Sequence, residues 1–428
     1  MVNLYLYLLV AICVGLLSWG LIRLDRIYQY PFFMGGIFVS FILPQTIALI
    51  NNPGPVSQQA LERVLLMSCF CAAMCWLGYQ LPLNYSFIKK FDISVDSNKL
   101  FLGGIVLVLI GYGANFLIFQ LPEAVREETQ WTGIITIYAF FRRLIYPGFT
   151  IIILSTLRHP TVAKIILTAC AAAIPLQLII FYGRREATAT FVLTIGLSLY
   201  YIRRYIPPRW LVIGLIFFAL IAIPLTGTYR NIAKNGDWNQ LQEVRPVDNL
   251  KSFVEEGKVL ELRNAALVMD AAVQTRQYGY GTGYWNKVIF SFVPGQLVGY
   301  NFKNALMIKL NTYDIENLYD YRRITGITTT GIGDSFAQFD YFGCLFFLLS
   351  SYLFKLLWIS SVYRNSITSQ VFYISLFSPS LLSVTHGTVN LLPDVLFSSI
   401  FIGSVIIYSQ NKPLKDHNRR YLLEGNQE

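Results

Sequence analysis

The residues best able to do chemistry in this 428-residue chain are arginines. Arg184 and Arg185 stand side by side, as do Arg142 with Arg143 and Arg322 with Arg323, while Arg230 stands apart. A guanidinium donates two parallel hydrogen bonds from a rigid fork and does not titrate away, so clustered arginines suit a phosphate or diphosphate. Acid–base candidates are few. His386, one of three histidines, lies in Ser383-Val384-Thr385-His386-Gly387-Thr388. It could take a proton from a sugar hydroxyl near neutral pH, or hydrogen-bond to a neighbouring helix; taken alone, the residue favours the structural use. Asp334, Asp340 and Asp394 stand at the starts of apolar stretches, where a carboxylate serves as base or, more commonly, as helix cap. Tyr284 and Trp285 close the run Gln277-Tyr278-Gly279-Tyr280-Gly281-Thr282-Gly283, a set of turns rather than a nucleotide loop. Their rings suit stacking on sugar faces, or a place at the lipid headgroups.

The elements that must position these groups are membrane helices. Hydrophobic residues make up 54% of the chain and charged ones 14%, and the mean hydropathy is +0.49. That excludes a water-soluble globular protein. Apolar stretches of about 20 residues match a hydrocarbon core of roughly 30 Å, which predicts an all-α, polytopic membrane protein. Eleven spans are expected, near residues 4–22, 31–50, 64–82, 100–121, 137–157, 163–182, 187–202, 210–228, 341–360, 370–386 and 393–409. The first run lacks a basic leader and a small-residue cleavage site, and reads as a retained helix. The six cysteines all fall in or beside apolar stretches and offer neither a disulfide framework nor a zinc spacing.

With eleven spans, one set of connecting segments carries 16 Lys or Arg and the opposite short loops carry 4. The basic set is cytoplasmic by the positive-inside rule, which puts the N-terminus outside and the 410–428 tail inside. The large connection, residues 229–340, then lies on the outer face between spans 1–8 (residues 1–228) and spans 9–11 (residues 341–409). It is nearly neutral, with 12 basic and 11 acidic residues when Asp340 is assigned to the span it opens. Val259, Leu262, Ala266, Met269 and Val273 recur in it at helical spacing, predicting either an amphipathic helix on the outer rim or a helix of a small folded cap.

The arginines break this charge sorting. Arg142, Arg143, Arg184, Arg185 and Arg230 all fall on the outer side, where carboxylates other than the large connection's are scarce; Glu186 is the nearest candidate partner. A charge at span depth costs roughly 2.5–3.5 kcal/mol and so faces protein or a wet cavity, and an underneutralised cluster attracts an anion. Arg142 and Arg143 could equally snorkel to headgroups, and Arg322 with Arg323 could equally be a solvated pair. For Arg184 and Arg185 the functional reading is favoured, because a basic pair in a short outer loop opposes insertion.

Three segments carry a resemblance: Tyr182-Gly183-Arg184-Arg185-Glu186-Ala187; Phe290-Ser291-Phe292-Val293-Pro294-Gly295 followed by Lys303; and Thr328-Thr329-Thr330-Gly331-Ile332-Gly333-Asp334-Ser335-Phe336 with Phe342-Gly343. With the layout of spans and one large outer loop, the chain resembles the Wzy-type oligosaccharide repeat unit polymerases. It departs from them in having a double arginine where that pattern often has Ser-Arg-Gly. The resemblance implies a GT-C-like glycosyltransferase of the bacterial cytoplasmic membrane. Its donor and acceptor are undecaprenyl-pyrophosphate-linked oligosaccharides, it needs no metal or other cofactor, and its partners are the bilayer, a flippase and a chain-length regulator, with no nucleic acid. Pyrophosphate binding falls to Arg142, Arg143, Arg184, Arg185, Arg230, Arg322 and Arg323, proton transfer to His386 or Asp334, and sugar stacking to Tyr284 and Trp285. An O-antigen ligase shares the layout, and a lipid-linked oligosaccharide flippase is the rival of a different class.

Overall fold

The computed structural model describes residues 1–126, 133–236, 238–242, 244–246, 251, 255, 260–309, 313–322 and 328–410. Among these, regular structure is helical, and the lone β-bridge, Val95 with Gln410, joins two loop ends. This is an all-α, multi-pass membrane architecture. Nine described helical stretches are long and apolar enough to cross a bilayer: Val2–Ile22, Tyr30–Asn51, Gln58–Gln80, Ser97–Phe119, Ile134–Arg158, Val162–Ile180, Thr330–Tyr363, Ile367–His386 and Thr388–Ser409.

Two of the eleven expected spans form helices that miss this standard. Arg185–Arg203 carries charge at both ends and hydroxyls along its length, and Arg209–Asn235 is apolar only over Arg209–Ala222. The first packs between Ile145–Arg158 and Ile367–His386, burying Ala187, Thr194, Leu197, Ser198, Tyr200 and Tyr201.

Local signals set the ends. Ser57 accepts a hydrogen bond from the Ala60 N–H, Asp96 from those of Asn98 and Lys99, and Ser366 from that of Ser369, each capping the helix that follows. Successive connections gather at opposite ends. At one end the Met1 amino group lies 3.6 Å from Glu62 and Arg263 donates to the Asn52 carbonyl at 2.6 Å. At the other, Arg364 pairs with Asp92 at 2.7 Å and Arg209 donates to the Leu21 carbonyl at 3.1 Å.

The large connection starts later than hydropathy suggests, since Arg209–Asn235 carries Arg230 inside a helix. Its central helix, Glu261–Thr275, is the packed cap helix of the two expectations rather than a rim helix. Every residue from Leu262 to Ala272 is buried, the polar Arg263, Asn264 and Asp270 included, and it packs on Gln58–Gln80 and Thr330–Phe339. Polar groups along it find protein partners: Arg63 pairs with Asp270 at 2.7 Å, Tyr319 donates to the same carboxylate at 2.9 Å, and the Asn264 amide nitrogen donates to the Thr328 carbonyl at 3.3 Å, although Asn264 Oδ1 is buried with no donor among the described residues. Val259 of that stripe lies outside the described residues.

Glycines allow the close packing beneath it. A Cβ on Gly331 would stand 2.2 Å from the Ser383 carbonyl oxygen, and one on Gly333 2.6 Å from Ala265 Cα. Thr330–Phe339 is thereby wedged between the cap helix, Glu261–Thr275, and Ile367–His386. The chain then kinks at Asp340, φ +53°, before Leu345–Tyr363 continues the apolar stretch.

Candidate functional site

The capped end of the bundle holds a cavity of about 810 Å³ lined by five arginines, Arg126, Arg142, Arg184, Arg185 and Arg230, by Glu123, Glu186 and Glu261, and by His386. They come from several separate parts of the chain. Arg142 ends helix Ile134–Arg142, two turns into the fifth apolar stretch. Arg184 and Arg185 open helix Arg185–Arg203 after a tight turn at Gly183, whose φ of +54° is the left-handed conformation that glycine adopts without strain. A Cβ at Gly183 would also strike the Tyr229 ring at 2.8 Å, and Tyr229 donates its hydroxyl to the Ile180 carbonyl. That contact sets Arg230, the next residue, against the turn.

Charges in the cavity fall into neighbouring groups. Arg142 has Arg184 and Glu186 beside it, Arg185 has Glu261 and Arg230, and His386 has Arg185. Among the described residues, no carboxylate lies within 4 Å of the guanidinium of Arg184, Arg185 or Arg230. Arg185 Nε is buried with no hydrogen-bond acceptor. The N-terminus of Arg185–Arg203 has no side-chain cap, so its partial positive charge adds to theirs. Five arginines and an uncapped helix end share the recess with three glutamates, an excess of positive charge at the cavity wall.

Glu261 is the acid that sequence reasoning passed over as a cap-helix residue. Gln45, 2% exposed, donates to its carboxylate at 2.9 Å while its own amide oxygen accepts the Leu262 N–H at 2.9 Å. Gln45 therefore ties the start of the cap helix to the second span and holds Glu261 at the cavity wall. Burial pushes the Glu261 carboxyl above the usual carboxylate range, with Arg185 and the Gln45 amide opposing.

The other expected site residues lie elsewhere. Arg143, next to Arg142, turns away from the cavity, ion-pairs with Asp394 and stacks over Phe397 at 4.7 Å. Its neighbour points about 100° round the helix, which separates their fates. Asp334 is not at the cavity: it accepts hydrogen bonds from the Thr388 hydroxyl at 2.7 Å and the Val389 N–H at 2.9 Å, capping the turn Thr388–Asn390. Tyr284 stacks between Phe339 and Phe346 and shares a 2.7 Å hydrogen bond with Thr388, while Trp285 donates to the Leu306 carbonyl at 2.9 Å. Neither lines the cavity. Arg322 is exposed and also outside it, and Arg323 lies outside the described residues. His386 does line it, with Nδ1 2.6 Å from the Thr385 hydroxyl. Arg126 had no sequence signal, being a lone arginine in a loop. Among the described residues, no group of three or more His, Cys, Asp or Glu is placed to hold a metal ion.

In comparisons with known proteins, the chain matches no family model, no curated protein and no solved structure.

Proposed function

We propose that the cavity binds the diphosphate of a polyprenyl-pyrophosphate-linked oligosaccharide and that the protein is a glycosyltransferase joining such repeat units, an O-antigen-type polymerase of the bacterial cytoplasmic membrane acting on its outer face. The observation that carries this reading is the set of three guanidiniums, those of Arg184, Arg185 and Arg230, that lie in a recess at the end of an apolar bundle and have no carboxylate within 4 Å among the described residues.

Attack of a sugar hydroxyl on an anomeric carbon breaks its bond to the pyrophosphate oxygen, and negative charge grows on the departing diphosphate. Fixed guanidiniums stabilise that charge where it develops, and removing one such donor typically costs about 10²–10³ in rate. Proton transfer from the acceptor hydroxyl falls to His386, the one described histidine at the cavity, oriented through Nδ1 by Thr385. The segment 182–187, which resembles the Wzy-type polymerases and lines the cavity, supports the choice of reaction over other uses of a diphosphate site.

The test is purified protein in lipid with a lipid-linked repeat unit. Wild type is expected to give a polymer ladder; Arg184→Ala with Arg185→Ala is expected to remain inserted and folded and to give none. Undiminished ladders from the double variant would remove the diphosphate role. A wild-type protein that moves the substrate across the bilayer unchanged would make it a flippase, and one that transfers only to a lipid A core would make it a ligase.

A further inference from the structure

A different part of the cap, residues 282–309, has a composition unlike the rest of the chain's outer segments. It contains Lys287, Lys303 and Lys309 and no Asp or Glu. It folds into helices Thr282–Phe292, Gly295–Val298 and Tyr300–Leu306. These are tied into one unit: Asn286 and Ile308 exchange two hydrogen bonds, at 2.7 and 2.9 Å, and Trp285 donates to the Leu306 carbonyl. A soluble cap would bury its large apolar side chains. Here Phe290, Leu297, Val298, Tyr300, Phe302 and Ile308 are all exposed, from 46% to 70% of their surface.

The unit's attachments place it beside the spans and below their ends. Gln296 donates to the Gly133 carbonyl at 2.9 Å, at the head of Ile134–Arg158. The Phe292 ring meets that of Phe140 at 5.5 Å, and Phe140 in turn meets Phe397 and Phe401 of the last span. Phe140 lies six residues into its helix, about 9 Å along it at 1.5 Å per residue. Exposed apolar surface at that level of a transmembrane bundle has acyl chains opposite it. Lys303 sits over the Phe290 ring at 4.5 Å, an ammonium at the edge of an apolar patch. Cationic heads over apolar faces, with acids excluded, are the pattern of a segment seated at the headgroup boundary of an anionic leaflet.

We infer that residues 282–309 form an interfacial foot that seats the cap in the bilayer leaflet, its apolar faces among the acyl chains and Lys303 and Lys309 on anionic phospholipid headgroups. Lys287 instead faces Asp394 and Asp334 inside the protein. The inference is independent of the reaction proposed above.

A photo-crosslinking amino acid placed singly at Leu297 or Phe302 of the full protein tests it. The protein is held in nanodiscs of equal parts phosphatidylcholine and phosphatidylglycerol, and adducts are read by mass. Position Phe217, exposed on the apolar part of Arg209–Asn235, serves as the lipid-facing control. The expected result is phospholipid adducts at Leu297 and Phe302 comparable to those at Phe217, enriched several-fold in phosphatidylglycerol over Phe217, the enrichment lost in Lys303→Glu with Lys309→Glu. No lipid adducts at either position, with the control labelled, would overturn the seating. Adducts without enrichment would overturn the headgroup role, and adducts to a second copy of the chain would overturn both.

Discussion

Arg142 and Arg143 are adjacent and of one type, yet only Arg142 lines the cavity, because helical geometry sends one to the cavity wall and the other to Asp394. Their removal should therefore read out differently. Arg143→Ala breaks a part-exposed pair and is expected to lower thermal stability in detergent by on the order of 1 kcal/mol. Arg142→Ala is expected to weaken pyrophosphate binding, measured by calorimetry, where Arg143→Ala leaves it unchanged. Glu261 supplies a pH test. Its carboxyl titrates above the ordinary range because burial disfavours the charged form. As pH falls through that raised value Glu261 becomes neutral, the cavity gains net positive charge, and diphosphate affinity should rise; the same linkage makes the fold more stable below the raised value than above it. Glu261→Gln should abolish this rise and bind at all pH values as the wild type does at low pH; affinity that still tracks pH in that range would shift the effect to another group. Arg184 and Arg185 stood out in the sequence because a basic pair in a short outer loop runs against the insertion bias, but the same signal also picked out Arg143, which the structure turns to Asp394. Glu261 and Arg126 gave no such signal, since a lone charge in a connecting segment looks the same whether it meets water or a cavity.

At the scale of elements, hydropathy located most of the helices, since apolar length is dictated by the bilayer. It misplaced what protein contacts decide. Leu262–Ala272 reads as a striped helix, but Arg63, Tyr319 and Thr328 meet its Asp270 and Asn264 and it is buried throughout. No sequence period reports partners that distant. Gly331-Ile332-Gly333-Asp334 invites a catalytic reading, yet its glycines serve close packing and its carboxylate a turn. Gly331→Ala is accordingly expected to cost about 1–3 kcal/mol by overpacking against the Ser383 carbonyl. Gly403→Ala, where an added Cβ meets nothing within 4 Å, should stay within about 0.5 kcal/mol of wild type. Size-exclusion profiles after graded heating would compare them, and equal losses would deny the wedge.

For the whole molecule, the sorting of short-loop charge predicts the arginine cavity and the cap on the non-cytoplasmic face. A fluorescent protein fused after Glu428 should then fluoresce, as it does when it folds in the cytoplasm, and a protease added to the outer face should cut within the cap and spare the tail. The opposite pattern would invert the molecule and move the cavity to the wrong side for an outer-leaflet donor. The cap helix carries one further consequence, for biogenesis. It packs against Gln58–Gln80 on one flank and Thr330–Phe339 on the other, with Gln45 and Asn52 as its anchors. The last three apolar helices leave the ribosome after it and, once inserted, must wait for a segment that has already crossed to the far side to fold back before their inner ends have a seat. Mutations that weaken the anchors should therefore show first as degradation of newly made chains, while the mature protein that escapes remains intact.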